Sequence, residues 1–264
     1  KRIDKFIFII MITVLDNFNP KTDYFKKPYP HVIIKNALPT ELYQSLADEF
    51  PVNEIKEKLP LIEGHTHRYL ANDVLYKKRI PVSEKWTNFF KAHTSQEYYD
   101  KVIDLFSEDM PYSKTVTNKK VMVRGVDESH GEMVTDTQFV VHNPINVGTT
   151  RTTHIDNPQE LYAGLLYFRQ PNDTSIGGNF EIFDTEEVKG VHKQKGREIT
   201  QNTKKTLVRT VEYEANTFVM FLNTGKSVHG VTPRHNATVE RLSINIIAET
   251  RSKQNLLFNL KNAV

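Results

Sequence analysis

The stretch Thr217-Phe218-Val219-Met220-Phe221, followed by Asn223-Thr224-Gly225 and then Ser227-Val228-His229-Gly230-Val231, decides how the chain is read. The apolar run is too short for a helix and ends in a turn signal, so strand, turn and second strand are expected. Similar short β-branched and aromatic runs, each bounded by polar turns, recur at 121–124, 138–142, 162–168, 179–183, 206–213 and 241–248. Such strands must share a core to bury their apolar faces. They predict a two-sheet β-barrel or jelly roll.

Before Pro111 the texture is helical. Leu42, Tyr43, Leu46, Ala47 and Phe50 recur at helical spacing between Pro39 and Pro51, which predicts one amphipathic helix over 40–50 with its stripe in the core. Further helices are expected over 83–92, around Trp86, Phe89 and Phe90, and over 95–106. The class is therefore α+β, mainly β, with N-terminal helices supporting the barrel. Tyr69, Tyr76 and Trp86 either pack in the core or line a peptide groove, and packing is the commoner fate of such aromatics. The apolar run 6–15 follows Lys1, Arg2 and Lys5 and is too short to cross a bilayer as a helix. No small-x-small cleavage site follows it, so a strand packed on the main body is expected, with a signal remnant or a natural start at Met11 as alternatives. One domain over 1–264 is expected: an N-terminal strand and helices over 1–112, a barrel core over 113–250 and a tail over 251–264. Residues 186–205 are long, basic and polar, and suggest a mobile loop or insertion.

Composition narrows the chemistry. The 264 residues contain no cysteine, which excludes disulfides, thiolate metal clusters and thiol nucleophiles, so any metal must be held by His, Asp, Glu or water. The net charge of +3, with 35 basic and 32 acidic residues interspersed, leaves no nucleic-acid footprint. No feature specifies an oligomeric state, although an exposed 6–15 strand would invite pairing with another chain.

The most informative spacing is His154-Ile155-Asp156. In extended backbone, side chains two apart share a face, so imidazole and carboxylate can point together into a barrel. The bland alternative is a polar turn before Asn157-Pro158. A histidine from a neighbouring strand, His229, would complete a facial set of two imidazoles and one carboxylate, which leaves open positions on a ferrous ion. His235, in a polar loop, and His192, in a Lys-rich segment, rank below it as third ligands. Downstream, Arg241 and Ser243 share one strand face and can grip a carboxylate together. For Arg241 the competing reading is a surface salt bridge to an acid such as Glu240 or Glu212.

These residues resemble the iron(II)- and 2-oxoglutarate-dependent dioxygenases, most closely their prolyl-hydroxylase-like branch. The resemblance covers residues 138–249. It rests on His-Ile-Asp-Asn-Pro at 154–158, Leu-Leu-Tyr-Phe at 165–168, Gly177-Gly178 with the strand 179–183, the strand bearing His229, and Arg-Leu-Ser at 241–243. It implies a double-stranded β-helix fold, a jelly-roll, cupin-like barrel. It also implies iron(II) held by His154, Asp156 and His229, and 2-oxoglutarate held at its far carboxylate by Arg241, with Ser243 and Tyr167 assisting. Tyr167 could instead be core filling. The gap from His229 to Arg241 is longer than in many relatives, which makes Arg234 a competing anchor. The Gly pair is expected to allow a tight turn or close backbone approach beside the opening.

The implied activity is hydroxylation of an unactivated C–H bond with O2, most closely of a prolyl or other peptidyl residue, with succinate and CO2 as co-products. A small-molecule substrate fits the same metal site, ascorbate is a possible accessory, and the cytoplasm is the expected location. No catalytic acid or base is expected beyond the metal ligands. Two other readings stand beside this one: a non-catalytic jelly-roll binding or structural module, and a cupin-like metalloenzyme that does not use 2-oxoglutarate.

Overall fold

The computed structural model describes residues 11–62, 65–110, 116–126, 128–145, 147–148, 151–185 and 203–251. The chain opens with strands β1 (Tyr24–Phe25) and β2 (His31–Lys35), then helices α1 (Thr40–Asp48) and α2 (Val52–Lys58). Strand β3 (Thr66–Leu70) and a π-helical turn (Asp73–Lys77) lead into α3 (Glu84–His93) and α4 (Gln96–Phe106). The remaining strands are β4 (Val121–Val123), β5 (Met133–His142), β6 (Val147–Gly148), β7 (Glu160–Tyr167), β8 (Phe180–Thr185), β9 (Lys205–Val211), β10 (Thr217–Leu222), β11 (His229–Val231), β12 (Arg234–His235) and β13 (Arg241–Thr250).

Helices α3 and α4 begin one residue inside the expected spans because Ser83 and Ser95 are their caps. The Ser83 hydroxyl accepts from the Trp86 amide and Ser95 from that of Tyr98, satisfying donors that the first turn leaves open. Helix α2 was not anticipated. Its seven residues show only one buried side chain, Ile55, too little for a periodic signal.

One large sheet has the order β1-β2-β10-β7-β13-β5-β3, with β4 parallel beside β5. Facing it are β11-β8-β9 and the pair β12-β6, linked to the rest by bridges at His154–His229 and Ile176–His235. The two layers form the double-stranded β-helix, and strands from both ends of the chain complete it. Period-two alternation sorts each strand of the large sheet into two faces. Phe139, Leu166, Phe218, Ile244 and Ile246 join the helices in one buried cluster. Tyr167, Val219, Phe221 and Ile247 turn inward to meet Phe180 and Ile182 of the second layer.

Phe139 is the centre of the helix-facing side. Its ring lies 4.5 Å from that of Trp86, 4.8 Å from Phe90 and 5.0 Å from Phe50, centroid to centroid. Fully burying one such side chain contributes roughly 1.5–3 kcal/mol, so this cluster fastens α3 to the sheet. Tyr69 and Trp86 are buried core residues and Tyr76 is exposed.

Residues 1–10 lie outside the described residues. Of the expected 6–15 strand, Met11 to Leu15 run into a turn instead, with Val14 and Leu15 buried and the Val14 amide donating to His93 Nε2 at 3.1 Å. The expected insertion at 186–205 falls outside the described residues up to 202, and Lys205 begins β9. Among the described residues no helix is long and apolar enough to cross a membrane.

Candidate active site

His154 and His229 are paired across a narrow antiparallel bridge: the amide of each donates to the carbonyl of the other, at 2.8 and 3.0 Å. Residues directly opposite project to one side, so both imidazoles enter the barrel together, with ring centroids 4.3 Å apart. Asp156, two residues beyond His154, reaches the same point. Its Oδ1 lies 3.4 Å from His154 Nε2 and its Oδ2 3.5 Å from His229 Nε2. One ligand atom from each of the three falls within 4.8 Å of the others, the geometry of a metal site.

The second nitrogen of each ring orients the first. His154 Nδ1 contacts the Thr152 carbonyl at 2.7 Å and His229 Nδ1 the Ser227 carbonyl at 2.8 Å. A carbonyl only accepts, so each Nδ1 carries the hydrogen and each Nε2 lone pair faces Asp156. Burial, with His154 alongside, lowers the His229 pKa to about 3 and keeps the ring neutral. Burial acts to raise the Asp156 carboxyl, but His229, His154 and Arg151 outweigh it and hold the group below the usual carboxylate range. Two imidazoles and one carboxylate from three buried or half-buried residues suit an ion such as iron(II).

Next to this triad lies a cavity of ≈ 570 Å³ lined by inward residues of the large sheet. Arg241 is 1% exposed. Its guanidinium sits over the rings of Tyr213 and Tyr167, at 4.7 and 4.9 Å, and its Nε donates to the Gly178 carbonyl at 3.1 Å. Among the described residues, Nη2 of Arg241, the Ser243 hydroxyl and the Tyr167 hydroxyl are buried without hydrogen-bond partners. Burial raises the Tyr167 phenol, and the Arg241 charge beside it opposes that rise. Buried polar groups are rarely left unpaired, so Arg241 and Ser243 on the cavity wall, with Tyr167 beside both, are suited to an anionic, oxygen-rich ligand such as a carboxylate.

Arg234 is equally buried and has its partners already. It meets Asp173 Oδ2 at 3.0 Å, the Ser175 hydroxyl through two nitrogens, and the Val239 carbonyl. Its charge is spent inside the protein. The Gly pair explains how Arg241 approaches so closely. Gly177 and Gly178 have φ of +87° and +76°, and a Cβ on Gly177 would lie 1.9 Å from the Pro233 carbonyl oxygen. On Gly178 it would lie 3.0 Å from Arg234 and 3.5 Å from Arg241 Nε. His235 is exposed, and its side chain is not among the clustered ligand atoms. His192 lies outside the described residues.

Sequence reasoning missed several contributors. Tyr213, two residues beyond β9, stacks on Arg241, and no spacing signals that contact. His142 pairs with Arg241 across β5 and β13, lines the cavity and holds Thr66 Oγ1 at 2.8 Å through Nδ1. Burial, then the nearby Arg241 charge, pushes its pKa well down. The orienting carbonyls at 152 and 227 each stand two residues before their histidine, a repeated offset that could have been noticed.

Residues 137–248 match the family model described as the 2OG-Fe(II) oxygenase superfamily. A comparison with curated proteins finds no match. Among solved structures, a prolyl-4-hydroxylase from Pseudomonas putida is 17% identical, with 91% of this chain and 99% of that chain covered and a TM-score of 0.42. An oxidoreductase of the 2OG-Fe(II) oxygenase family from Burkholderia pseudomallei is 11% identical, covering 86% of this chain and 87% of that one, at a TM-score of 0.44. The family match runs over the barrel strands that carry the triad, so residues 137–248 are similar to the 2OG-Fe(II) oxygenase superfamily.

Proposed function

We propose that this chain is an iron(II)- and 2-oxoglutarate-dependent hydroxylase, with His154, Asp156 and His229 as iron ligands and Arg241, Ser243 and Tyr167 as the seat of the 2-oxoglutarate far carboxylate. The observation that carries the reading is the cluster of orphaned polar atoms on Arg241, Ser243 and Tyr167 beside the triad. Bound iron would supply the redox chemistry that couples conversion of 2-oxoglutarate and O2 to succinate and CO2 with insertion of the second oxygen atom into a substrate C–H bond.

The chain's own part is geometric. The Thr152 and Ser227 carbonyls fix both imidazole tautomers, so the ligand set needs no rearrangement to receive a cation. Tyr167 and Tyr213 hold the Arg241 fork between their rings, so little side-chain freedom is lost when a carboxylate arrives. Phe180 and Phe221 flank His229 with centroids at 5.2 and 4.6 Å and keep water from that side of the triad. No group is assigned as a general acid or base. For the substrate, the reading is a prolyl or other peptidyl residue, supported by the His-Ile-Asp-Asn-Pro motif and by Tyr167 on β7. The cytoplasm, where iron(II) and 2-oxoglutarate are available, is the proposed location.

The test is anaerobic titration of the purified protein with ferrous iron and then 2-oxoglutarate, watching for the weak visible charge-transfer band of the chelate. Its appearance supports the reading. Iron binding with no band, and no calorimetric sign of 2-oxoglutarate binding, would instead favour a cupin-like metalloenzyme.

A further inference from the structure

Along the inward face of β13, Arg241, Ser243, Asn245 and Ile247 follow one another two residues apart, about 7 Å per step, and all four line the cavity. The row of Ile247 underlies the triad. Ile247 is the register partner of Ala163, and Ala163 of Phe221, whose ring lies 4.6 Å from that of His229. Asn245 therefore stands between the level of the metal site and the Ser243 hydroxyl, one step from each.

Its carboxamide is set among groups that do not match it. Oδ1 of Asn245 is buried and, among the described residues, has no hydrogen-bond partner. The register partner on β7 is Leu165, whose side chain has no donor. The partner on β5 is Gln138, and both of its amide atoms are engaged: Nε2 donates to Asp136 Oδ2 at 2.7 Å, and Oε1 accepts from Arg68 Nη1 at 2.9 Å. The Nδ1 hydrogens of His154 and His229 are turned to the Thr152 and Ser227 carbonyls. Nor does 2-oxoglutarate complete the set, since at neutral pH it carries acceptors and no donor. A buried acceptor without a donor costs free energy that an apolar side chain, such as Ile247 one step on, does not.

We propose that Asn245 is a specificity-determining residue whose Oδ1 accepts a main-chain N–H of the substrate. The inference rests on the peptidyl hydroxylase reading and deepens it. Proline has no N–H of its own, so for a prolyl substrate the donor is the amide of the residue that follows. The same amide serves for another residue at the reacting position. The substrate is then a residue followed by a peptide bond, rather than a free amino acid or a chain-terminal one.

The experiment is anaerobic calorimetry on the full chain loaded with manganese(II) and 2-oxoglutarate. The probes are N-acetyl-alanyl-X-glycyl-alanine amides with proline, leucine or lysine at X. Each has a depsipeptide counterpart in which glycolic acid replaces glycine, so that an ester oxygen stands where the N–H was. At least one amide probe should bind, its ester should bind about tenfold more weakly or worse, and Asn245→Leu should cut that ratio to about threefold or less. The ester also weakens the adjoining carbonyl as an acceptor, but that effect is common to both proteins, so the change in ratio isolates the N–H. The 2-oxoglutarate affinity of Asn245→Leu should match wild type, which also reports that the variant is folded. The proposal is overturned if no amide probe binds to wild type, if amide and ester bind alike there, or if Asn245→Leu keeps the wild-type ratio. It is equally overturned if Asn245→Leu loses 2-oxoglutarate, which would place Asn245 in the co-substrate seat. Failure of wild type to bind 2-oxoglutarate counts against the hydroxylase reading separately, because that titration precedes the probes.

Discussion

Replacing Arg241 with Met separates a binding role from a structural one, since the two predict opposite outcomes. The side chain is 1% exposed, stacked on two tyrosines and bonded once, to the Gly178 carbonyl. Losing two cation–π contacts costs about 1–2 kcal/mol together or somewhat more, and losing the charged hydrogen bond about 1.5 kcal/mol. Against this, the variant no longer buries a guanidinium whose Nη2 has no partner, a relief of several kcal/mol, and Met fills similar volume. The net change in folding stability is therefore expected within about 2 kcal/mol of zero. Binding should change far more. Truncating one partner of a buried, hydrogen-bonded charge pair costs about 2–5 kcal/mol, which is roughly 30- to 3,000-fold in the Kd for 2-oxoglutarate. Urea unfolding gives the first quantity and anaerobic calorimetry on the manganese-loaded protein the second. A variant destabilised by more than about 3 kcal/mol that still binds 2-oxoglutarate normally would refute the reasoning, since Arg241 would then be a structural cation.

Arg234→Met makes the converse case: it removes the 3.0 Å partner of the buried Asp173 carboxylate and leaves Arg169 at 3.9 Å, so a loss of about 3 kcal/mol in urea unfolding is expected, while co-substrate affinity per folded molecule stays within about threefold. Single Ala variants of His154, Asp156 or His229 should lose iron, read as metal stoichiometry by plasma emission spectroscopy, with the far-ultraviolet circular dichroism unchanged; a variant that retains full stoichiometry removes that residue from the site. His93 supplies a pH prediction away from the site. Burial lowers its pKa to about 4, its Nε2 accepts from the Val14 amide, and its Nδ1 donates to the Phe89 carbonyl. The unfolded chain takes up this proton first, near pH 6.5, so the stability contribution is complete above that pH and drains away as pH falls toward 4, by up to about 3 kcal/mol. Urea midpoints across pH 4–7 should fall less steeply in His93→Gln than in wild type, and equal slopes would contradict the assignment.

How much of this was legible beforehand depended on whether the signal was local. The strand run 217–221 was readable because a strand buried on both faces is apolar nearly throughout, and the run 241–248 because Leu242, Ile244 and Ile246 alternate; the structure extends them only to Leu222 and Thr250. The helix starts at Ser83 and Ser95 were readable for a similar reason, since capping is settled within one turn. Strand β3 was not. In Thr66-His67-Arg68-Tyr69-Leu70 the inward positions are polar because they face a cavity, which erases the alternation that marks a strand. Residues 11–15, the described part of the 6–15 run, misled in the other direction: apolar composition alone cannot distinguish a strand from a buried turn.

The sequence by itself determined the barrel class, the helical support and the residue types at His154, Asp156, His229 and Arg241, because period-two spacing and composition act over a few neighbours. It favoured Arg241 and left Arg234 as a competitor, and it contained no trace of His142 or Tyr213 as companions. Only tertiary structure separated them. Which cation has a carboxylate beside it depends on chain segments far apart in sequence: Asp173 reaches Arg234 from 61 residues away, whereas among the described residues Arg241 meets a carbonyl and two aromatic faces. Charge compensation inside a protein is a property of the assembled fold, since the energy that decides it falls with distance in space and is indifferent to distance along the chain.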